Sequence, residues 1–149
     1  MPGCRRNLIA AAFVAVAATP AWALEFRSVA ENAAVLYDAP SARAKKLYVV
    51  NHGYPVEVMV VIEGWAKVRD ASGELTWIES KFLTGKRTVI VKVPLAQIHQ
   101  STDESAPIVF QAQQNVILEL VDATSGGWLR VKHRDGQTGF VKVTQVWGA

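Results

Sequence analysis

The residues in this chain that could do chemistry are tryptophans set beside cations. Gly64-Trp65-Ala66-Lys67-Val68-Arg69 and Gly127-Trp128-Leu129-Arg130-Val131-Lys132 share one pattern, Gly-Trp-apolar-basic-Val-basic. Successive side chains of an extended strand turn to opposite faces. Ala66 and Val68, like Leu129 and Val131, are therefore expected inward, while Trp65, Lys67, Arg69, Trp128, Arg130 and Lys132 are expected outward. An outward indole offers flat stacking area for a sugar face, and flanking cations offer charge-assisted hydrogen bonds to an anionic peptide group. The competing reading is structural: each tryptophan covers a barrel edge, or a β-bulge after the glycine turns it inward. A second aromatic set comprises Tyr37, Tyr48, Tyr54, Trp77 and Phe140, with core packing as the alternative role, Trp77 and Phe140 above all. Trp147, close to the C-terminus, is expected to pin the last strand.

Groups suited to catalysis do not converge. His52, His99 and His133 lie in a turn or at strand ends, and no pair has metal-ligand spacing. The serines Ser41, Ser72, Ser101, Ser105 and Ser125 sit in turns, outside any Gly-x-Ser-x-Gly setting. Glu57 and Glu119 correspond between the two tryptophan regions and could in principle form a carboxylate pair. Both alternate with apolar core positions, so they are expected to face solvent. No catalytic residue, metal or cofactor is expected, and the chain reads as a non-enzyme.

The elements that position these residues must fit within 149 residues, 50% of them hydrophobic and 19% charged, with one cysteine. That length allows one ordinary domain or two very small ones, and the composition is too apolar for a disordered chain. A single thiol excludes an intramolecular disulfide framework. Residues 1–23 read as a cleavable secretory signal: Arg5 and Arg6, an apolar run from Leu8 to Ala18, Pro20, then Ala21-Trp22-Ala23. The apolar run is too short to span a bilayer, so no stable membrane insertion is expected after cleavage. Cleavage would remove Cys4, Arg5 and Arg6, leaving 14 basic against 13 acidic residues. Such a nearly neutral exported chain lacks the basic surface that nucleic acid requires.

The tryptophan motif is part of a longer duplication. Trp65 and Trp128 are followed eight residues later by Gly73 and Gly136, and Thr76-Trp77-Ile78 then matches Gly139-Phe140-Val141. Upstream, Val56-Glu57-Val58 matches Leu118-Glu119-Leu120, with the longer loop from Asp122 to Gly127 absorbing a one-residue slip. In the first copy, β-prone runs fall at Ala33–Tyr37, Lys46–Val50, Val56–Ile62, Trp65–Arg69 and Thr76–Glu79. The second copy has them at Leu95–His99, Ile108–Gln111, Val116–Val121, Trp128–His133 and Thr138–Lys142. Turn residues separate the runs, and the one helical feature expected past the signal is a single turn at Ser80–Leu83. Short strands at this density predict two small, strongly bent barrels, over residues 24–85 and 86–149. The connector Thr84-Gly85-Lys86-Arg87 runs straight into the apolar stretch Thr88–Val93. It is not a Gly/Ser tether, and it predicts that the barrels pack against each other.

Gly64-Trp65-x-Lys67-Val68, Gly73, Trp77-Ile78 and Ser80-Lys81-Phe82-Leu83, opened by Ala33 to Ser41, resemble a bacterial SH3 domain. The segments Leu83 to Thr88 and Val146-Trp147-Gly148 resemble exported bacterial proteins with two such modules. The resemblance covers almost all of the chain after residue 23. It implies an all-β fold of two tandem SH3-like barrels and attachment to cell-wall material or to other proteins. An aromatic groove between loops, as in such barrels, makes Tyr37, Tyr54 and Trp77 candidate ligand contacts. The expected function is a non-catalytic exported binding module, periplasmic or extracellular, that holds peptidoglycan or an envelope protein. The alternative is a structural or assembly protein of the envelope, docking partners by strand addition or packing.

Overall fold

Runs of valine, isoleucine and aromatic residues a few positions long, cut by Gly, Asn, Asp and Ser, favour pleated strands over helices. The computed structural model describes residues 24–149, and the signal expected over residues 1–23 lies outside that range. The described residues form two seven-stranded antiparallel sheets and no α-helix. The first holds β1 (Glu25–Val29), β2 (Ala33–Tyr37), β3 (Lys46–Asn51), β4 (Pro55–Ile62), β5 (Trp65–Arg69), β6 (Leu75–Glu79) and β7 (Leu83–Thr84). The second holds β8 (Thr88–Val91), β9 (Leu95–His99), β10 (Ile108–Gln113), β11 (Ile117–Ala123), β12 (Trp128–Lys132), β13 (Thr138–Lys142) and β14 (Val146–Trp147).

The orders β3-β2-β6-β5-β4-β1-β7 and β10-β9-β13-β12-β11-β8-β14 are one topology written twice. A 3-10 turn follows each sixth strand, at Ser80–Phe82 and Val143–Gln145. The β4–β5 and β11–β12 pairings each slip by one residue, between Val58 and Val60 and between Leu120 and Asp122. The duplication therefore preserves even an irregularity that bends the strand and sharpens its twist.

Three strands escape the sequence reading. β1 has the mixed composition Glu-Phe-Arg-Ser-Val, and β7 and β14 are two residues each. Sequence periodicity cannot mark a two-residue strand; the pairings Val29 with Leu83 and Val91 with Val146 create it. The apolar connector behaves as expected, with Thr88–Val91 opening the second sheet.

Each sheet curls around its own core. Val29, Leu36, Val56, Val68 and Ile78 are buried in the first copy, and Val91, Ile98, Leu118, Val131 and Val141 stand at the corresponding places in the second. Burying an aliphatic side chain of this size contributes about 1.5–3 kcal/mol relative to exposure. Small domains without disulfides need further support, and the junction between the copies provides it. The Thr88 hydroxyl donates to the Gly53 carbonyl at 2.6 Å, and the Ser28 hydroxyl donates to the Lys86 carbonyl at 2.7 Å. Trp147 meets Phe26 edge-on at 5.2 Å, and the Arg87 guanidinium lies 5.3 Å from the same Phe26 ring. Arg87 also donates to the Gly148 carbonyl at 3.0 Å. Trp147 does hold the last strand, but it does so against the other copy. Gly148, at φ 114°, is required there because a Cβ would come within 2.8 Å of the Thr88 carbonyl oxygen.

Candidate functional site

β5 and its neighbours assemble the aromatic and basic residues of the first copy. Ala66 and Val68 are fully buried, as alternation demands, which sends Trp65, Lys67 and Arg69 to the outer face. Register then sets their neighbours: Lys67 lies opposite Trp77, and Trp77 lies opposite Tyr37 on β2. Lys67 Nζ stands 6.0 Å from the centre of the Trp77 ring. Trp65 meets Tyr37 edge-on at 5.3 Å. Tyr37 is buried beneath this group, while Trp65, Lys67 and Trp77 are partly exposed. The result is an indole face with a cation above it and an aromatic pair alongside. Such a surface can stack on a flat apolar ligand face and pair with an anion.

Two other predicted residues of this copy do not join them. Arg69 is drawn to Glu57, its cross-strand partner, with its Nε and a terminal nitrogen 2.7 and 2.5 Å from one carboxylate oxygen. Glu57 is only 3% exposed, which corrects the expectation that it faces solvent. The guanidinium supplies the countercharge without which burying a carboxylate would be costly. Tyr54 lies in a separate shallow groove with Leu36, Tyr48, Asp70, Ser72 and Glu74. Partial burial there raises its phenol pKa, with a smaller contribution from the nearby Asp70 carboxylate. The Tyr48 hydroxyl donates to Glu74 at 2.9 Å, and this hydrogen bond is the main reason its pKa is also raised.

The second copy departs more strongly. Trp128 is 8% exposed, so the expectation of a solvent-facing indole is wrong for this copy. The side chain is on the outer face, but His99 covers it edge-on at 5.7 Å and Lys142 Nζ sits 5.8 Å from its ring centre. Lys142 in turn pairs with Glu104 in the long β9–β10 loop. His99, itself buried, bonds through Nδ1 to the Ala106 carbonyl at 3.0 Å and is fixed as the lid. Arg130 stays exposed opposite Phe140, and Lys132 is exposed at the end of β12.

Lys132 belongs to a cleft that sequence reasoning missed. Its volume is about 570 Å³, and it lies where the copies meet. Asn32, Asn51, His52 and Gly53 form its first wall; Asn115, Ile117, Lys132, His133 and Arg134 form the second, with Lys86 at the connector. All but Gly53 and Ile117 are polar, and they sit in or next to turns, where a polar residue is normally no more than a solvated one. The only available signal was that Asn51-His52-Gly53 and Gln113-Gln114-Asn115 are corresponding turns. Gly53 and Asn115 both have left-handed backbone, φ 82° and 71°. Among the described residues, no group of three His, Cys, Asp or Glu side chains is placed to hold a metal ion. No helix among them is long and apolar enough to cross a membrane.

Comparison with known proteins places these observations. The bacterial SH3 domain family matches twice, over residues 30–85 and 92–148. No curated protein matches the chain. Among solved structures, NlpC2 and NlpC1 from Trichomonas vaginalis are similar at 18% and 20% identity, with TM-scores of 0.39 and 0.40. These matches cover 85% and 89% of this chain and 49% of each of those. An NlpC/P60 family protein from Bacillus cereus ATCC 10987 is similar at 17% identity and a TM-score of 0.38, over 82% of this chain and 55% of that one. The chain thus spans about half the length of each of these structures. With matches that together take in most of its residues, and a topology repeated strand for strand, the chain belongs to the bacterial SH3 domain family and carries two copies in tandem.

Proposed function

We propose that this chain is a non-catalytic, exported binding module that holds cell-wall peptidoglycan on the outer face of its first copy. The observation that carries this reading is the grouping of Lys67, Trp77, Tyr37 and Trp65 on neighbouring strands, with Lys67 Nζ 6.0 Å from the Trp77 ring centre. Trp77 supplies the stacking face for a sugar ring, and Lys67 supplies the charge for a peptide carboxylate. The second copy has covered its tryptophan, so its role here is support through the junction.

Sedimentation with purified insoluble sacculi tests the proposal. The chain is expected in the pellet, and Lys67→Ala combined with Trp77→Leu is expected to reduce retention by about tenfold, roughly 1.4 kcal/mol. Urea unfolding of the same variant checks that the barrel persists. Unchanged retention would remove the outer face from the reading, and release of soluble muropeptides would overturn its non-catalytic part. A second reading, docking of an envelope protein, is favoured by the consecutive residues Met59, Val60, Val61 and Ile62, all exposed on β4. Co-purification of one envelope protein, lost on Val61→Lys while sacculus retention is absent, would favour it.

A further inference from the structure

We infer that the cleft between the two copies is a second binding site, built for an acidic peptide. Its volume of about 570 Å³ falls within the range typical of ligand pockets, about 300–1,000 Å³. Charge in the cleft is one-sided. Lys86, Lys132 and Arg134 line it against one carboxylate, Glu119, which pairs with Lys86 at 3.3 Å, and the His52 and His133 rings add further hydrogen-bonding groups. His133 approaches Asp135 at 3.1 Å, outside the lining. Lys132 and Arg134 are exposed and make no ion pair among the described residues.

The duplication shows how this imbalance arises. In the first copy the cross-strand pair Glu57–Arg69 is closed, and the turn after β5 carries Asp70 and Glu74. In the second copy Glu119 still lies opposite Lys132, yet its carboxylate is taken by Lys86 from the connector. The cation that should have been neutralised is left facing the cleft. The turn after β12 carries His133 where the first copy has Asp70, Arg134 where it has Ala71, and Gln137 where it has Glu74. Asn32, Asn51 and Asn115 complete the lining, and side-chain amides both donate to and accept from peptide groups. Two free cations with amides across from them suit an extended peptide with carboxylate side chains. A bare phosphate would accept from the cations and from the amide N–H groups but would leave the amide oxygens without the N–H donors that a peptide backbone supplies.

The test is an NMR titration of the isotopically labelled full chain with a tetraglutamate peptide, beside a parallel titration with inorganic phosphate. Saturable amide shifts confined to residues 51–53, 115–119 and 132–134 are expected with the peptide. Lys132→Gln with Arg134→Gln should weaken binding about tenfold or more, the order of a lost charge-assisted hydrogen bond. Lys92→Gln, on an exposed lysine outside the cleft, should leave it unchanged. Absent or non-saturating shifts, equal weakening by Lys92→Gln, or phosphate binding as tightly as the peptide would each overturn the assignment. Sacculus sedimentation of the Lys132→Gln, Arg134→Gln chain reports separately on the outer face of the first copy, so either site can fail without the other.

Discussion

The two copies have the same strand order, the same bulge and corresponding cores, and they differ in what they do with one tryptophan and one glutamate. Trp65 remains partly exposed against Tyr37, whereas Trp128 is sealed by His99 and Lys142. Glu57 is buried on Arg69, whereas Glu119 is partly exposed and tied to the connector. Duplication copies the scaffold because the scaffold depends on which positions are apolar. It does not copy the surface, since one side chain across the strand decides whether an aromatic is covered or a charge is free. His99 replaces Tyr37 and Lys142 replaces Glu79, and these exchanges alter the face around the tryptophan.

Removing each tryptophan in turn puts the difference between the copies to the hardest trial. Trp128→Ala is expected to cost about 3–5 kcal/mol, as for a buried aromatic, and Trp65→Ala clearly less. Urea midpoints of the two variants decide it, and equal losses would mean that exposure does not separate the copies. Next comes the buried pair. Glu57→Gln is expected to cost about 2 kcal/mol, since it weakens a charged hydrogen bond at a buried site. Glu119→Gln should stay within about 1 kcal/mol, as for an exposed pair. The same denaturant series reads both.

A smaller effect concerns corresponding positions on β6 and β13. Thr76 is fully buried with its hydroxyl unpartnered, while Gly139 lets β13 lie against Ile98 and within 2.9 Å of the His99 carbonyl oxygen, measured from where a Cβ would stand. Thr76→Val should therefore raise stability by about 1 kcal/mol, by removing a buried unsatisfied group. Gly139→Thr, which makes the second copy like the first, should destabilise, and thermal unfolding would show the opposite signs. The smallest effect is in acid. Backbone N–H groups of Ser105 and Gln137 hold the Asp103 and Asp135 carboxyls below their usual pKa. A carboxylate whose folded pKa is lowered stabilises the fold above its unfolded pKa, about 3.9, and that contribution is lost as pH falls through the folded value. Stability should decline slightly below pH about 4, and Asp135→Asn should flatten part of that decline in unfolding curves at stepped pH.

Much of the fold was legible in order. The offset between Trp65 and Trp128, ten of the fourteen strands and the inward Ala66, Val68, Leu129 and Val131 all follow from pattern, because alternation and turn chemistry are local. β1, β7 and β14 were not, because their pairing partners lie far along the chain. The candidate site was half legible. Lys67 and Trp77 meet because register aligns β5 with β6, which a hairpin fixes locally. Trp128 and Glu57 went wrong because a cross-strand or loop neighbour decides their burial, and alternation gives a direction without a neighbour.

Local pattern is enough for the duplication, the β class and the residues that fill each core, since apolar side chains leave water wherever the chain pairs them. Packing in space settles which tryptophan is covered, where Arg69 and Lys86 place their charge, and that a basic cleft opens at the junction. Those outcomes depend on distance in space and on competition among several partners for one carboxylate or one ring face. Neither is written in the spacing of residues along the chain.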